Sequence, residues 1–137
     1  MATKSKKQKH IQATGRRKNS SARARIHKGK SPTLVNNIPA TQYFPGSVNA
    51  SVLEQPFKLT ETQGKYYATV KVVGGGIKGQ LEAATHAIAK ALNNLNTEKF
   101  RPVLKKAGLL TRDSRIKERR KIGTGGKARR KKQSPKR

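Results

Sequence analysis

In the stretch SSARARIHKG, Ala22, Ala24 and Ile26 alternate with Arg23, Arg25 and His27, and Gly29 ends the run. Alternation with period two predicts a β-strand that buries one face and turns a cationic face outward. TLVNN (33–37) predicts a short second strand, closed by Pro39. From Ser47 to Gln55 the residues Val48, Val52 and Leu53 give a weak helical pattern that is expected to stop at Pro56. KYYATVKVVGG is the clearest strand, rich in Tyr, Thr and Val and ended by glycines.

GQLEAATHAIAKALNNLN predicts the strongest helix. Leu81, Ala84, Ile88, Ala91, Leu92 and Leu95 recur at spacings of three and four, forming one apolar stripe. Glu82 is expected in its first turn, where the helix dipole favours an acid. A shorter helix is expected over about 98–107, with Thr97 as N-cap and Gly108 as its stop. Neither end of the chain carries such a stripe. The expectation is an α+β protein with a single small domain, which 137 residues can build.

Charge changes this picture most. The net charge is +27, distributed as +11 over residues 1–30, +5 over 31–108 and +11 over 109–137. The middle carries a charge that a folded domain tolerates, and the ends carry the surplus. The division expected is a basic extension (1–12), a globular RNA-binding domain (13–108) and an extended basic tail (109–137). So much charge of one sign opposes compaction and calls for a polyanionic partner.

Several other chemistries find no support. Without cysteine there are no disulfides or thiolate ligands, and His10, His27 and His86 stand at no metal-binding spacing. No apolar run approaches the roughly 20 residues that span a bilayer, and MATKSKKQKH lacks the apolar segment of a secretory signal. No catalytic residue, metal or cofactor is expected.

Three segments are candidates for function. TGRRKNSSARAR (14–25) sets five cations among small polar residues. It reads either as an edge strand guarded by charge or as a strand face lying on a phosphate backbone, with Ser20 and Ser21 as hydroxyl donors. The first thirty residues hold no acid, which favours the second reading. GGGIKGQ (74–80) joins strand to helix, where backbone N–H groups meet anions, yet no Lys-Ser or Lys-Thr follows Gly79 and no acid stands about 20 residues on. A tight turn whose Lys78 touches an RNA phosphate fits it better than a nucleotide site. The tail keeps Leu109, Leu110, Ile116 and Ile122 as local anchors, and after Gly123 becomes almost wholly polar and basic. Such a segment orders only on a partner, driven by counterion release from phosphates. Tyr43, Phe44, Tyr66 and Tyr67 are expected in the core, and His86 is expected to be packed or capped.

TGRRKNSSARARI, VKVVGGGIKGQLEAATHAIAKAL, LKKAGLLTRDSRIKERRKIG and KARR, in this order, resemble bacterial-type small-subunit ribosomal protein nine. The resemblance runs from about Thr14 to Arg137, and AGLLTRDSRIKERRK is its most specific part. It implies an α+β domain like the second domain of ribosomal protein five, seated in the head of the small subunit among other head proteins. It implies binding to 16S-type ribosomal RNA through Arg16, Arg17, Lys18, Arg23 and Arg25, to which the reading of the glycine turn adds Lys78. Along the tail it implies RNA contacts by Arg112, Arg115, Arg119, Arg120 and Lys121, then by Lys127, Arg129, Arg130, Lys131 and Lys132. The terminal Lys136 and Arg137 would approach the anticodon stem-loop of the peptidyl-site tRNA. The family usually ends in Gln-Phe-Ser-Lys-Arg, where this chain has Gln133, Ser134, Pro135, Lys136 and Arg137. The implied location is the cytoplasm, in the ribosome, or the plastid stroma if the chain is organelle-encoded. Two rivals from other classes stand beside this reading: a DNA-compacting protein suggested by the final SPKR, and a nucleotide-using enzyme built on the glycine loop.

Overall fold

The computed structural model describes residues 10–123. Along them run β1 (Ile11–Arg17), β2 (Ser20–Lys28), β3 (Leu34–Val35), β4 (Ile38–Pro39), α1 (Ala40–Tyr43), α2 (Ser47–Leu59), β5 (Tyr66–Val73), α3 (Ile77–Leu95) and α4 (Thr97–Lys106). The strands form one mixed sheet in the order β1-β2-β5-β3-β4, with β3 parallel to β5 and the other pairs antiparallel. The α+β class expected from the sequence is the class observed.

The alternation read in β2 is real: Ala22, Ala24 and Ile26 are buried, while Arg23 and Arg25 are exposed. Ala68, Val70 and Val72 continue the buried face on β5. The cationic run before it, however, is a hairpin and not one strand. β1 pairs with β2 in full register from Ile11↔Ile26 to Arg17↔Ser20, turning at Lys18 and Asn19. Lys18 adopts φ 52, a left-handed conformation that a short connection demands. β1 has few apolar residues because Gly15 lies against the backbone of α3 at Ala83 and Ala87, which leaves no room for a side chain.

That contact explains the composition of α3. The helix is buried around most of its girth, including Ala83, Ala87 and Ala89, and not along one stripe. The sheet covers one side and α2 and α4 cover the other. Small residues toward the sheet allow the close approach, and Ile88 and Leu92 fill the centre at 0 % exposure. The helix begins at Ile77, so Glu82 lies beyond its first turn, and what it meets there is Arg17.

Two other boundaries move for local reasons. α2 runs through Pro56 to Leu59. A proline's fixed φ suits a helix, and the one lost hydrogen bond is offset by burying Pro56 and Phe57. The N-cap of α4 is Asn96, whose side chain accepts from Lys99 N at 3.2 Å, with Thr97 as the first helical residue. Gly108 does stop α4 as expected: at φ 76 it directs Leu109 N to Leu104 O and its own N–H to Lys105 O, a paired C-terminal closure. Leu109 and Leu110 then pack on the core.

At the other edge, Asn36 and Asn37 (φ 50 and 66) make the two-residue turn between β3 and β4. Asn36 also extends the sheet with its side chain. Its Nδ2 donates to Val72 O at 3.1 Å and its Oδ1 accepts from Val72 N at 2.9 Å. Asn36 Nδ2 also reaches Tyr43 Oη, which donates to Gln80 Oε1 at 2.8 Å, and Gln80 donates to Gly74 O. This chain of bonds ties the sheet edge to the glycine turn.

Candidate nucleic-acid interface

A strand pairing fixes which side chains share a face. The registers set Thr14 opposite Arg23 and Arg16 opposite Ser21, then Arg23 opposite Lys71, Arg25 opposite Thr69 and His27 opposite Tyr67. The helices cover the other side, so these residues line the sheet's open face. Arg16, Arg23, Arg25 and Lys71 are all exposed there, and no Asp or Glu stands at any position of β1, β2 or β5. A groove of about 560 Å³ runs beside them, lined by Arg23, Arg25, Asn36, Asn37, Thr69 and Lys71 among others.

Cations placed opposite one another or two apart on a strand lie about 5–7 Å from each other, inside the roughly 8 Å screening length of physiological salt. They repel, and nothing in the sheet relieves them. A bound polyanion would. At one margin of this face His27 stacks on Tyr67 with ring centroids 5.1 Å apart, and His10 meets His27 edge-on. His27 Nε2 also lies 2.9 Å from Thr69 Oγ1.

The other sequence-derived candidates fall elsewhere. Lys18 is exposed at the hairpin tip and Lys78 is exposed in the first turn of α3. Arg17 follows Arg16 on the strand, so its side chain leaves the opposite face, where it binds Glu82 and Asp113. Ser20, expected as a phosphate donor, is 2 % exposed and its hydroxyl donates to Gly74 O at 3.0 Å. The glycine segment closes over it: Gly75 (φ 63) lies against the Ser20 side chain and Gly79 is buried beside it. These glycines serve close packing between loop and hairpin. Arg112, Arg115, Arg119, Arg120 and Lys121 are exposed along an extended segment after Leu110. Ile116 and Ile122, expected as anchors, are 55 % and 88 % exposed, leaving Leu109 and Leu110 to hold it. Lys127, Arg129, Arg130, Lys131, Lys132, Lys136 and Arg137 lie outside the described residues.

Of the aromatics, Phe44 is buried as expected, whereas Tyr43, Tyr66 and Tyr67 are only partly covered. Lys71 was not singled out by sequence, although Tyr67, Thr69, Lys71 and Val73 alternate with buried Ala68, Val70 and Val72. That period was the available signal.

Two histidines make a pH prediction. His27 is held below its ordinary value by burial, then by repulsion from His10 and Arg25. His86 is lowered by burial, opposed by its hydrogen bond to Leu110 O, and lowered further by Lys90 and Arg112. Both therefore stay neutral in the fold at pH values where the unfolded chain takes up protons. Stability contributed by the neutral rings is complete above the unfolded value of about 6.5 and is lost as pH falls below it. The urea midpoint should drop between about pH 7.5 and pH 5.5, and the His27→Gln/His86→Gln double variant should flatten that dependence. An equal drop in the variant would refute the assignment.

Among the described residues no group of His, Cys, Asp or Glu could hold a metal ion, and no helix is long and apolar enough to cross a membrane. A small α+β domain with an acid-free cationic sheet face and basic ends defines a nucleic-acid-binding module. Sequence comparison makes the class specific. The family model for ribosomal protein S9/S16 matches residues 15–137, and the chain belongs to that family. It is 48% identical over 114 residues to the small ribosomal subunit protein uS9 of Maridesulfovibrio salexigens, covering 83% of this chain and 87% of that one. It is 50% identical over 113 residues to the protein of the same name from Solidesulfovibrio magneticus, covering 82% and 86%.

Proposed function

We propose that this protein is a structural constituent of the small ribosomal subunit whose open sheet face lies on 16S-type ribosomal RNA. Family membership supports the ribosomal role and a non-enzymatic one, and removes the nucleotide-enzyme and DNA-compacting rivals. One observation carries the choice of surface: Arg16, Arg23, Arg25 and Lys71 converge on one face of three paired strands that contain no acid. Phosphate contacts of this kind position a protein on RNA without reading sequence. The division of labour is then a cationic domain that seats itself and a basic tail, from about residue 109, that threads between RNA elements. Lys127, Arg129, Arg130, Lys131 and Lys132 would grip phosphates along the tail. Its last residues, Lys136 and Arg137, would reach the peptidyl-site tRNA.

Sedimentation tests the first part: the protein should travel with small subunits on a gradient, and its absence from them would sink the reading. Deleting Lys136 and Arg137 tests the last part. Small-subunit assembly should persist while peptidyl-site tRNA affinity falls several-fold, and unchanged tRNA affinity would refute a role for those two residues.

A further inference from the structure

We propose that Arg17 is a latch that sets the direction in which the C-terminal segment leaves the domain, and is a positioning residue, not a phosphate contact. It closes β1 on the helix side of the sheet, with its side chain 11% exposed. Every nitrogen of its guanidinium has a partner. Nε donates to Glu82 Oε2 on α3 at 2.6 Å, Nη1 donates to Arg115 O at 2.7 Å, and Nη2 lies 3.4 Å from Asp113 Oδ2. Asp113 in turn accepts from the backbone and guanidinium of Arg115. Those bonds, with Arg17 nearby, hold its carboxyl well below the usual carboxylate range, so it stays charged at any physiological pH.

The chain has six acids against thirty-three Lys and Arg, and two of the six sit on this one arginine. A guanidinium set between two carboxylates has little unneutralised charge to offer a phosphate. What it does hold is the segment after α4. Residues 111–121 carry no regular structure, and the apolar residues Ile116 and Ile122 are exposed. Besides the packing of Leu109 and Leu110 and the His86–Leu110 contact at 3.3 Å, Arg17 supplies a fixed point that lies on the sheet. Binding both the side chain of Asp113 and the carbonyl of Arg115 holds the segment at two points two residues apart, and so sets a heading. A segment launched in a set direction loses less conformational freedom when RNA orders the rest. That consequence rests on the tail being RNA-bound; the latch itself does not.

The chain lacks cysteine, so spin labels can be placed at Asn94→Cys and Lys117→Cys, both exposed. In the free full-length protein the inter-label distance distribution should be narrow. Arg17→Gln and Asp113→Ala should each broaden it about twofold or more. Should Arg17→Gln fail to fold, Asp113→Ala decides, because Asp113 lies outside every helix and strand; an unchanged width there overturns the latch. A second measurement separates latch from phosphate contact. With a small-subunit ribosomal RNA transcript, loss of one phosphate contact lowers the slope of log affinity against log salt by about 0.7–0.9. Arg17→Gln should leave the slope unchanged, and a fall of that size would return Arg17 to the RNA and overturn the proposal. A wild-type protein with a narrow distribution and no affinity for the transcript would refute the functional reading and still support the latch.

Discussion

Gly15→Ala is expected to lower stability by about 3 kcal/mol, near the upper end of what overpacking costs. A Cβ at this position would stand 2.5 Å from Ala87 N and closer still to Ala83 O. Both are backbone atoms of α3, so no side chain can swing aside. Either β1 must lift from the helix or α3 must shift beneath the whole sheet. Domains of this size have about 5–15 kcal/mol to lose, so Gly15→Val should leave little folded protein. Gly76→Ala is the control: it has φ −100 and nothing within 4 Å of an added Cβ, so its cost should stay within about 1 kcal/mol. Urea midpoints of the two alanine variants check this. A Gly15→Ala midpoint equal to that of Gly76→Ala would mean that β1 does not rest on α3 as described.

Gly15 also shows where sequence reading reached its limit. In TGRRK the glycine and both arginines read as one cationic run, because nothing local announces a partner helix nearly seventy residues on. The outward face of β2 was legible, since Ala22, Ala24 and Ile26 declare their side by alternation and Arg23 and Arg25 must take the other. Arg16 and Arg17 could not be sorted so easily. Consecutive strand residues leave opposite faces, and only the register with β2 tells which one meets the helix. Ser20 read as a phosphate donor for the same reason: its burial depends on the glycine turn folding over it. α3 was placed correctly, but Ala84 and Ala91 read as part of a single apolar stripe when the helix is buried around most of its girth. Family resemblance carried what pattern could not, namely membership of a ribosomal protein family.

The largest functional effect is expected from the open face. Replacing Arg16, Arg23, Arg25 and Lys71 together by Gln should weaken binding to a small-subunit ribosomal RNA transcript about a thousandfold near 0.1 M salt. That figure takes each charge-assisted contact as about 1 kcal/mol net. Some three units should also leave the salt slope, because four fewer counterions are released. The fold should keep its stability or gain slightly, since the substitutions relieve repulsion among Arg23, Arg25 and Lys71 without touching a buried atom. Lys58→Gln/Lys105→Gln, on α2 and α4, removes charge from the opposite layer and should change both quantities far less. Equal losses per charge removed would mean that net charge, and not this face, holds the RNA.

The most direct test of that surface is made inside the assembled particle. A photo-reactive amino acid in place of Thr69, which lies opposite Arg25 in the middle of the open face, should crosslink to ribosomal RNA in small subunits. Crosslinks formed only to other proteins, or none at all, would contradict the assignment of this face to RNA.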